Sequence, residues 1–214
     1  MARIKKGIFD PPQGSVGNLV FSSRNGVPYV RTKPETYRDA KTPAQQAARA
    51  RLSLVSSLLR QLKPMLRSGF PETPPGKSSR DLAHRLNAAR ALHGSWPDLA
   101  IDYPNVLVSH GSLAPGSLRS SKLLPDGSLE ISWTPSDTAV RMQHGSDRVM
   151  VTLLDPEQNQ LCFYAGAGMR QDQATTIRVP ETLSGDFHAW LSFASSCGRF
   201  ASESCYAGRF SVCQ

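Results

Sequence analysis

The chain has 214 residues, 39% of them hydrophobic and 20% charged, with a formal net charge of +8. This composition excludes a disordered polar chain, and it excludes helical bilayer spans because the apolar runs are a few residues long where a span needs ~18. Charge is unevenly spread: residues 1–100 carry 17 Lys and Arg against 6 Asp and Glu, and residues 101–214 carry 8 against 11. The first half is therefore suited to an acidic partner, whether nucleic acid, an anionic surface or the acidic half of a neighbouring copy.

The opening MARIKKGIFD is basic, but Asp10, Pro11 and Pro12 stand where the apolar core of a secretion signal belongs. No such signal is expected, and the protein is assigned to the cytoplasm or to a particle assembled from it. An irregular arm with Gly7, Pro11, Pro12, Gly14 and Gly17 leads to a predicted β-hairpin, Gly17–Ser23 and Val27–Thr32. Asn25-Gly26 closes it, a pair that supplies the two positive φ angles of a type I′ turn. Pro28 has no N–H to give to a ladder, which puts the second strand at an edge.

Thr42, Pro43 and Gln45 mark a helix start, with Thr as N-cap, Pro at the first helical position and Gln at the third. Leu52, Val55, Leu59, Leu62 and Leu66 recur on one stripe, and Pro64 should end the helix near Leu62. A second helix is predicted from Ser78, with Asp81 three residues on, through Leu82, Leu86, Ala89 and Leu92 to a stop at Gly94.

From Tyr103 onward the period changes to two. Seven strands are predicted, around Val106–Val108, Leu129–Trp133, Val149–Leu153, Leu161–Tyr164, Thr176–Val179, Phe187–Phe193 and Tyr206–Val212. Pro115-Gly116 and Pro125-Asp126-Gly127 mark a long first connection containing the Ser-rich stretch 117–121. The expected fold class is α+β: an N-terminal β-hairpin plus two helices over residues 1–100, then an immunoglobulin- or fibronectin-III-like β-sandwich over residues 101–214. The boundary is set near Asp98–Tyr103, the second half is expected to fold alone, and Trp133 and Trp190 are expected to face the core from opposite sheets.

No catalytic constellation is visible. His84, His93, His110, His144 and His188 are scattered, no G-x-S-x-G elbow is present, and Gly166-Ala167-Gly168 reads as a turn between strands. Asp155 and Glu157 flank Pro156 as the acidic tip of a hairpin. Cys162, Cys197, Cys205 and Cys213 lack the spacing of a metal or redox site and are read as small buried hydrophobes, with Cys197 and Cys205 open to pairing across a hairpin. No enzyme activity, cofactor or metal is expected.

The opening MARIKKGIF, GSVGNLVF with VPYVRTKP, the TPAQQAARARLSLV helix start, LKPM, and IDYPNVLVSHGSL leading into LEISW together resemble an uncharacterised Bacteroidetes family, a domain of unknown function of about this length. The resemblance covers nearly the whole chain and implies no catalytic residues. The basic strand-forming arm followed by a Thr-Pro-x-Gln helix also looks like phage structural proteins.

The residues expected to meet a partner are Arg3, Lys5, Lys6, Phe9, Arg24, Tyr29, Arg31 and Lys33. A two-stranded hairpin is marginal alone, so it packs on its own helices or on another chain. The expected role is that of a non-enzymatic structural or interaction protein, a self-associating or partner-bound subunit of a phage-like or surface assembly. The alternative is unspecific nucleic-acid binding by the basic half, for which stacking aromatics are few: Phe9, Phe21 and Tyr29, the last two equally readable as the hairpin's buried face.

Overall fold

A computed structural model describes residues 12–24, 26–36, 39–134, 145–183 and 185–212. The chain forms two compact units, Met1–Pro43 and Ala44–Gln214.

The first unit holds one antiparallel sheet, in the order β1 (Gly14–Val16), β2 (Leu19–Arg24) and β3 (Val27–Thr32). Arg24 pairs with Val27, which leaves a two-residue connection. Gly26 sits in it at φ +82°, where a side chain would be strained; Asn25 lies outside the described residues. The stretch before the hairpin is not wholly irregular, because Gly14–Val16 pairs with Leu19–Phe21 as a third strand. Gly17 at φ +55° makes that tight reversal.

The second unit begins with α1 (Pro43–Gln61), which starts and stops where Thr42-Pro43 and Pro64 direct. Its buried stripe starts at Val55 and takes in Leu58 and Leu59, while Leu52 remains exposed. The short α2 (Leu66–Gly69) follows, then α3 (Ser79–Arg90). Ser78 caps α3 in a closed box: its hydroxyl accepts from the Asp81 N–H at 3.2 Å, and the Asp81 carboxylate accepts from the Ser78 N–H at 3.0 Å. A two-strand ribbon, β4 (Leu92–His93) and β5 (Ala100–Ile101), leads to a 3-10 turn at Tyr103–Asn105.

Seven further strands form two sheets. One has the order β10 (Ala174–Arg178), β7 (Ser128–Thr134), β6 (Ser117–Leu123), and the other β12 (Cys205–Ser211), β11 (Asp186–Ala194), β8 (Arg148–Asp155), β9 (Gln160–Tyr164). The strand expected at Val106–Val108 is not formed. These three residues are buried in irregular chain, and the Asn87 side chain supplies the missing ladder: its Nδ2 donates to the Leu107 carbonyl at 2.9 Å and its Oδ1 accepts from the Leu107 N–H at 2.9 Å. The first strand is instead the Ser-rich segment Ser117–Leu123. Two of its hydroxyls are paired, Ser120 with Ser132 and Ser121 with the Ala207 carbonyl, and Leu118 and Leu123 pack on the core.

Between the two sheets lies one apolar core, with Leu129, Ile131, Trp133, Val149, Val151, Leu153, Phe187, Leu191 and Phe193 among its members. The opposite face of the four-stranded sheet meets the helices in a second core, where Leu154 and Trp190 join Val55, Leu59, Leu62, Met65, Phe70 and Leu82. Trp190 therefore does not face Trp133. Its strand position has the opposite parity to Phe187, Leu191 and Phe193, so it points at the helices. Strands β8 and β11 are covered on both faces, which is why they read as continuous apolar runs rather than alternating ones.

The shared core also joins segments on either side of the expected boundary near Asp98–Tyr103. The division by contacts falls at Pro43–Ala44, and the stripe of α1 finds its partner surface on the four-stranded sheet.

Candidate functional site

The three-stranded sheet of the first unit sorts its side chains by register. Pairs Phe21 with Val30, Leu19 with Thr32 and Ser23 with Pro28 lie on one face, and β1 adds Val16 beside Leu19. Pairs Arg24 with Val27, Ser22 with Tyr29 and Val20 with Arg31 lie on the other, and Lys33, two residues past Arg31, continues that side. One face is thus apolar and the other basic. The apolar face is open: Val16, Leu19 and Val30 are 57%, 42% and 54% exposed.

All six residues of β3 are exposed, and β3 is an edge strand. The pair that closes a two-residue turn exchanges both ladder bonds, and bonded pairs alternate from there. The Lys33 N–H donating to the Asn18 carbonyl at 2.7 Å keeps that phase. Val27, Tyr29, Arg31 and Lys33 accordingly bond inward, while Pro28, Val30 and Thr32 turn their backbone groups to the free edge. Pro28 falls where its missing N–H breaks no internal bond.

Of the residues expected to bind a partner, Arg24, Tyr29, Arg31 and Lys33 come together on the basic face. Arg3, Lys5, Lys6 and Phe9 lie outside the described residues, as do Arg38, His144 and Cys213. Phe21 and Tyr29 do not form a common buried face; they occupy opposite faces, and Tyr29 is exposed. Residues 1–43 carry eight Lys and Arg against three Asp and Glu, so this unit is strongly basic.

A second cluster, not anticipated from the sequence, lies in the other unit. Tyr103 stacks on the His188 ring with centroids 4.2 Å apart, and His188 Nδ1 is 2.8 Å from the Tyr206 hydroxyl. Trp190 completes the cluster, edge-on to Tyr206. Burial, and then the positive charge of Arg209, push the His188 pKa down against the opposing pull of Asp186. Burial pushes the Tyr103 and Tyr206 hydroxyls up. The three rings are thus tied together by stacking and by the contact between His188 Nδ1 and the Tyr206 hydroxyl. Tyr103, His188 and Tyr206 are too far apart in the chain for any spacing rule to have linked them.

Asp155 is buried and accepts from the Glu157 and Gln158 N–H groups at 2.9 and 3.0 Å, which makes it the cap of the β8–β9 turn. Cys162, Cys197 and Cys205 are free thiols. Cys197 is exposed rather than buried, because it sits in the turn after β11. Its pKa is lowered by the Ser195 hydroxyl, then by the Arg199 backbone, with the Arg199 charge a lesser cause. Among the described residues no group of three His, Cys, Asp or Glu is arranged to hold a metal ion, and no helix is long and apolar enough to cross a membrane.

These elements define an α+β protein in which helices and a three-stranded antiparallel sheet cover the two faces of a four-stranded one, preceded by a separate small sheet. The chain belongs to a family of unknown function, DUF6266, whose model matches residues 11–208. The resemblance to an uncharacterised domain of this length is met to that extent. Comparison with curated proteins finds no match.

Proposed function

We infer that this chain is a non-enzymatic interaction protein, a subunit or adaptor of a larger assembly, and that its N-terminal sheet is the contacting element. The observation that carries this reading is the open apolar face of Val16, Leu19 and Val30 beside a free strand edge. A sheet with that face uncovered gains little from its own burial, and a partner that covers it supplies the missing area. The free N–H and C=O groups of Val30 and Thr32 suit addition of a further strand. The partner favoured by charge is a second copy, whose residues 101–214 carry a net negative charge against the basic N-terminal residues. Arg24, Tyr29, Arg31 and Lys33, with Arg3, Lys5, Lys6 and Phe9 of the arm, are the further residues proposed to meet the partner.

The finer reading of the second unit is an immunoglobulin- or fibronectin-III-like sandwich. Supporting it, the first, second and fifth of the seven strands share one sheet, and the third, fourth, sixth and seventh share the other. Such sandwiches serve widely as contact modules, which agrees with an assembly role.

The test is light scattering of the intact chain over a concentration series, alongside Leu19→Lys with Val30→Lys in the same chain. The expected result is self-association in the parent and a monomer in the variant. A parent that is monomeric throughout, or a variant that associates equally, overturns the reading. The basic face favours nucleic acid as the second reading; retention of duplex DNA that weakens with salt and is lost in Arg24→Gln with Arg31→Gln selects it instead.

A further inference from the structure

A cavity of about 660 Å³ opens in the second unit, between α2, the start of α3, the start of β8 and the turn after β11. Arg67, Arg148 and Arg199 line it, together with Ser68, Ser79 and the half-buried Pro71. Its described lining contains no Asp or Glu, and no described carboxylate lies within ion-pair distance of the three guanidinium groups. The three arginines come from three separate segments and converge only in the fold.

The turn that carries Arg199 is held in shape. The Gly198 N–H donates to the Ser195 carbonyl at 2.8 Å, and the Phe200 N–H donates to the Ser195 hydroxyl at 3.1 Å. Gly198 takes φ +70°, and a Cβ built there would lie 3.5 Å from the Arg148 guanidinium, which places the Arg148 fork close beside this turn. Three like charges around one concavity repel each other, and a multiply charged anion relieves that repulsion while each planar fork pairs with its oxygens. The volume lies in the range of small-molecule sites, and a concave space fits a compact ligand better than an extended polymer.

We propose that this cavity binds a small organic phosphate or sulfate ester carrying at least two negative charges, with the arginine forks on the oxyanions and Pro71 against the organic part. The site is separate from the N-terminal contact surface and stands or falls independently of it.

The test is calorimetric titration of the full chain with pyrophosphate at near-physiological salt, where exposed charges are screened. One-to-one binding is expected, weakened about tenfold or more by either Arg148→Gln or Arg199→Gln, in keeping with the loss of a charge-assisted contact. Arg119→Gln, on β6 and outside the cavity lining, should bind as the parent does, and thermal melts of all variants verify that they fold. Absence of binding overturns the proposal, as does unchanged binding in both cavity variants. Loss of binding in Arg24→Gln with Arg31→Gln but not in the cavity variants would move the anion to the N-terminal sheet and equally overturn it. A DNA duplex that displaces pyrophosphate at equal phosphate concentration would identify an extended polyanion and overturn the small-ligand assignment.

Discussion

The two units of the chain treat apolar side chains in opposite ways. In Ala44–Gln214 two tryptophans, Trp133 and Trp190, are buried in two separate cores on either side of one sheet. In the N-terminal sheet Val16, Leu19, Val27, Tyr29 and Val30 are exposed. Burial at roughly 25 cal/mol per Å² is the main stabilising term available to either. The larger unit takes it from its own layers, and the smaller leaves much of it unused. A region that keeps apolar surface open at that cost is suited to gaining the area elsewhere, which is the physical content of the assembly reading.

The strongest way to break this comparison is to cut the larger unit. A fragment beginning near Asp102 removes the helices and exposes the Trp190 face of the four-stranded sheet. It should lose cooperative melting, whereas a fragment beginning at Ala44 should keep it. Matched cooperative transitions from both fragments would show that the helix layer is dispensable.

Within the larger unit, Trp133→Ala and Trp190→Ala should each cost about 3 to 5 kcal/mol in denaturant unfolding, as large core truncations do. A near-zero cost at Trp190 alone would show that the helix-side core contributes little. Ser78→Ala removes one half of the α3 capping box and should cost about 1 kcal/mol.

A pH series probes the ring cluster. His188 is held below its ordinary value of 6.5, so on acidification the unfolded chain takes up its proton first. The stabilising contribution is complete above about pH 6.5 and is lost progressively as pH falls through the lower folded value. The Tm should decline over this range, and His188→Gln should flatten the decline. Identical profiles would remove His188 from the account.

The smallest effect belongs to the other unit. Val30→Lys, at an exposed edge position, should change folding stability by no more than about 0.5 kcal/mol, while weakening self-association. A large loss of stability in the monomer would mean that this face is covered within the chain and would erase the contrast.

Local signals carried much of this fold in the sequence. Thr42-Pro43 and the Ser78 and Asp81 pair placed both long helix starts, and the β-rich runs from Leu129 onward correspond to observed strands. What escaped was set by tertiary structure. Val106–Val108 looks like a strand because it is apolar, yet its backbone is satisfied by a side chain, Asn87. Ser117–Leu123 looks like a linker because Ser117, Arg119, Ser120, Ser121 and Lys122 make five of its seven positions polar. The face of Trp190 is not legible in the sequence because β11 is apolar on both sides, which leaves no parity to read. At the candidate site, the common face of Arg24, Tyr29, Arg31 and Lys33 follows from alternation along and across the hairpin. The convergence of Arg67, Arg148 and Arg199 does not, since only the completed packing of helices and sheet brings those segments together.

Strands β8 and β11 are neighbours, yet the residues between them in the chain include all of β9 and β10. During synthesis Arg148–Asp155 emerges well before Asp186–Ala194 exists to pair with it. In that interval one edge of β8 is open, and its Val, Met and Leu side chains suit association with another nascent chain. The helices, made earlier still, are available to shelter its Met150 and Leu154 side, and β9 follows at once to close its other edge. The helix layer therefore precedes the strand it protects, so chain order itself limits how long this apolar segment stays uncovered.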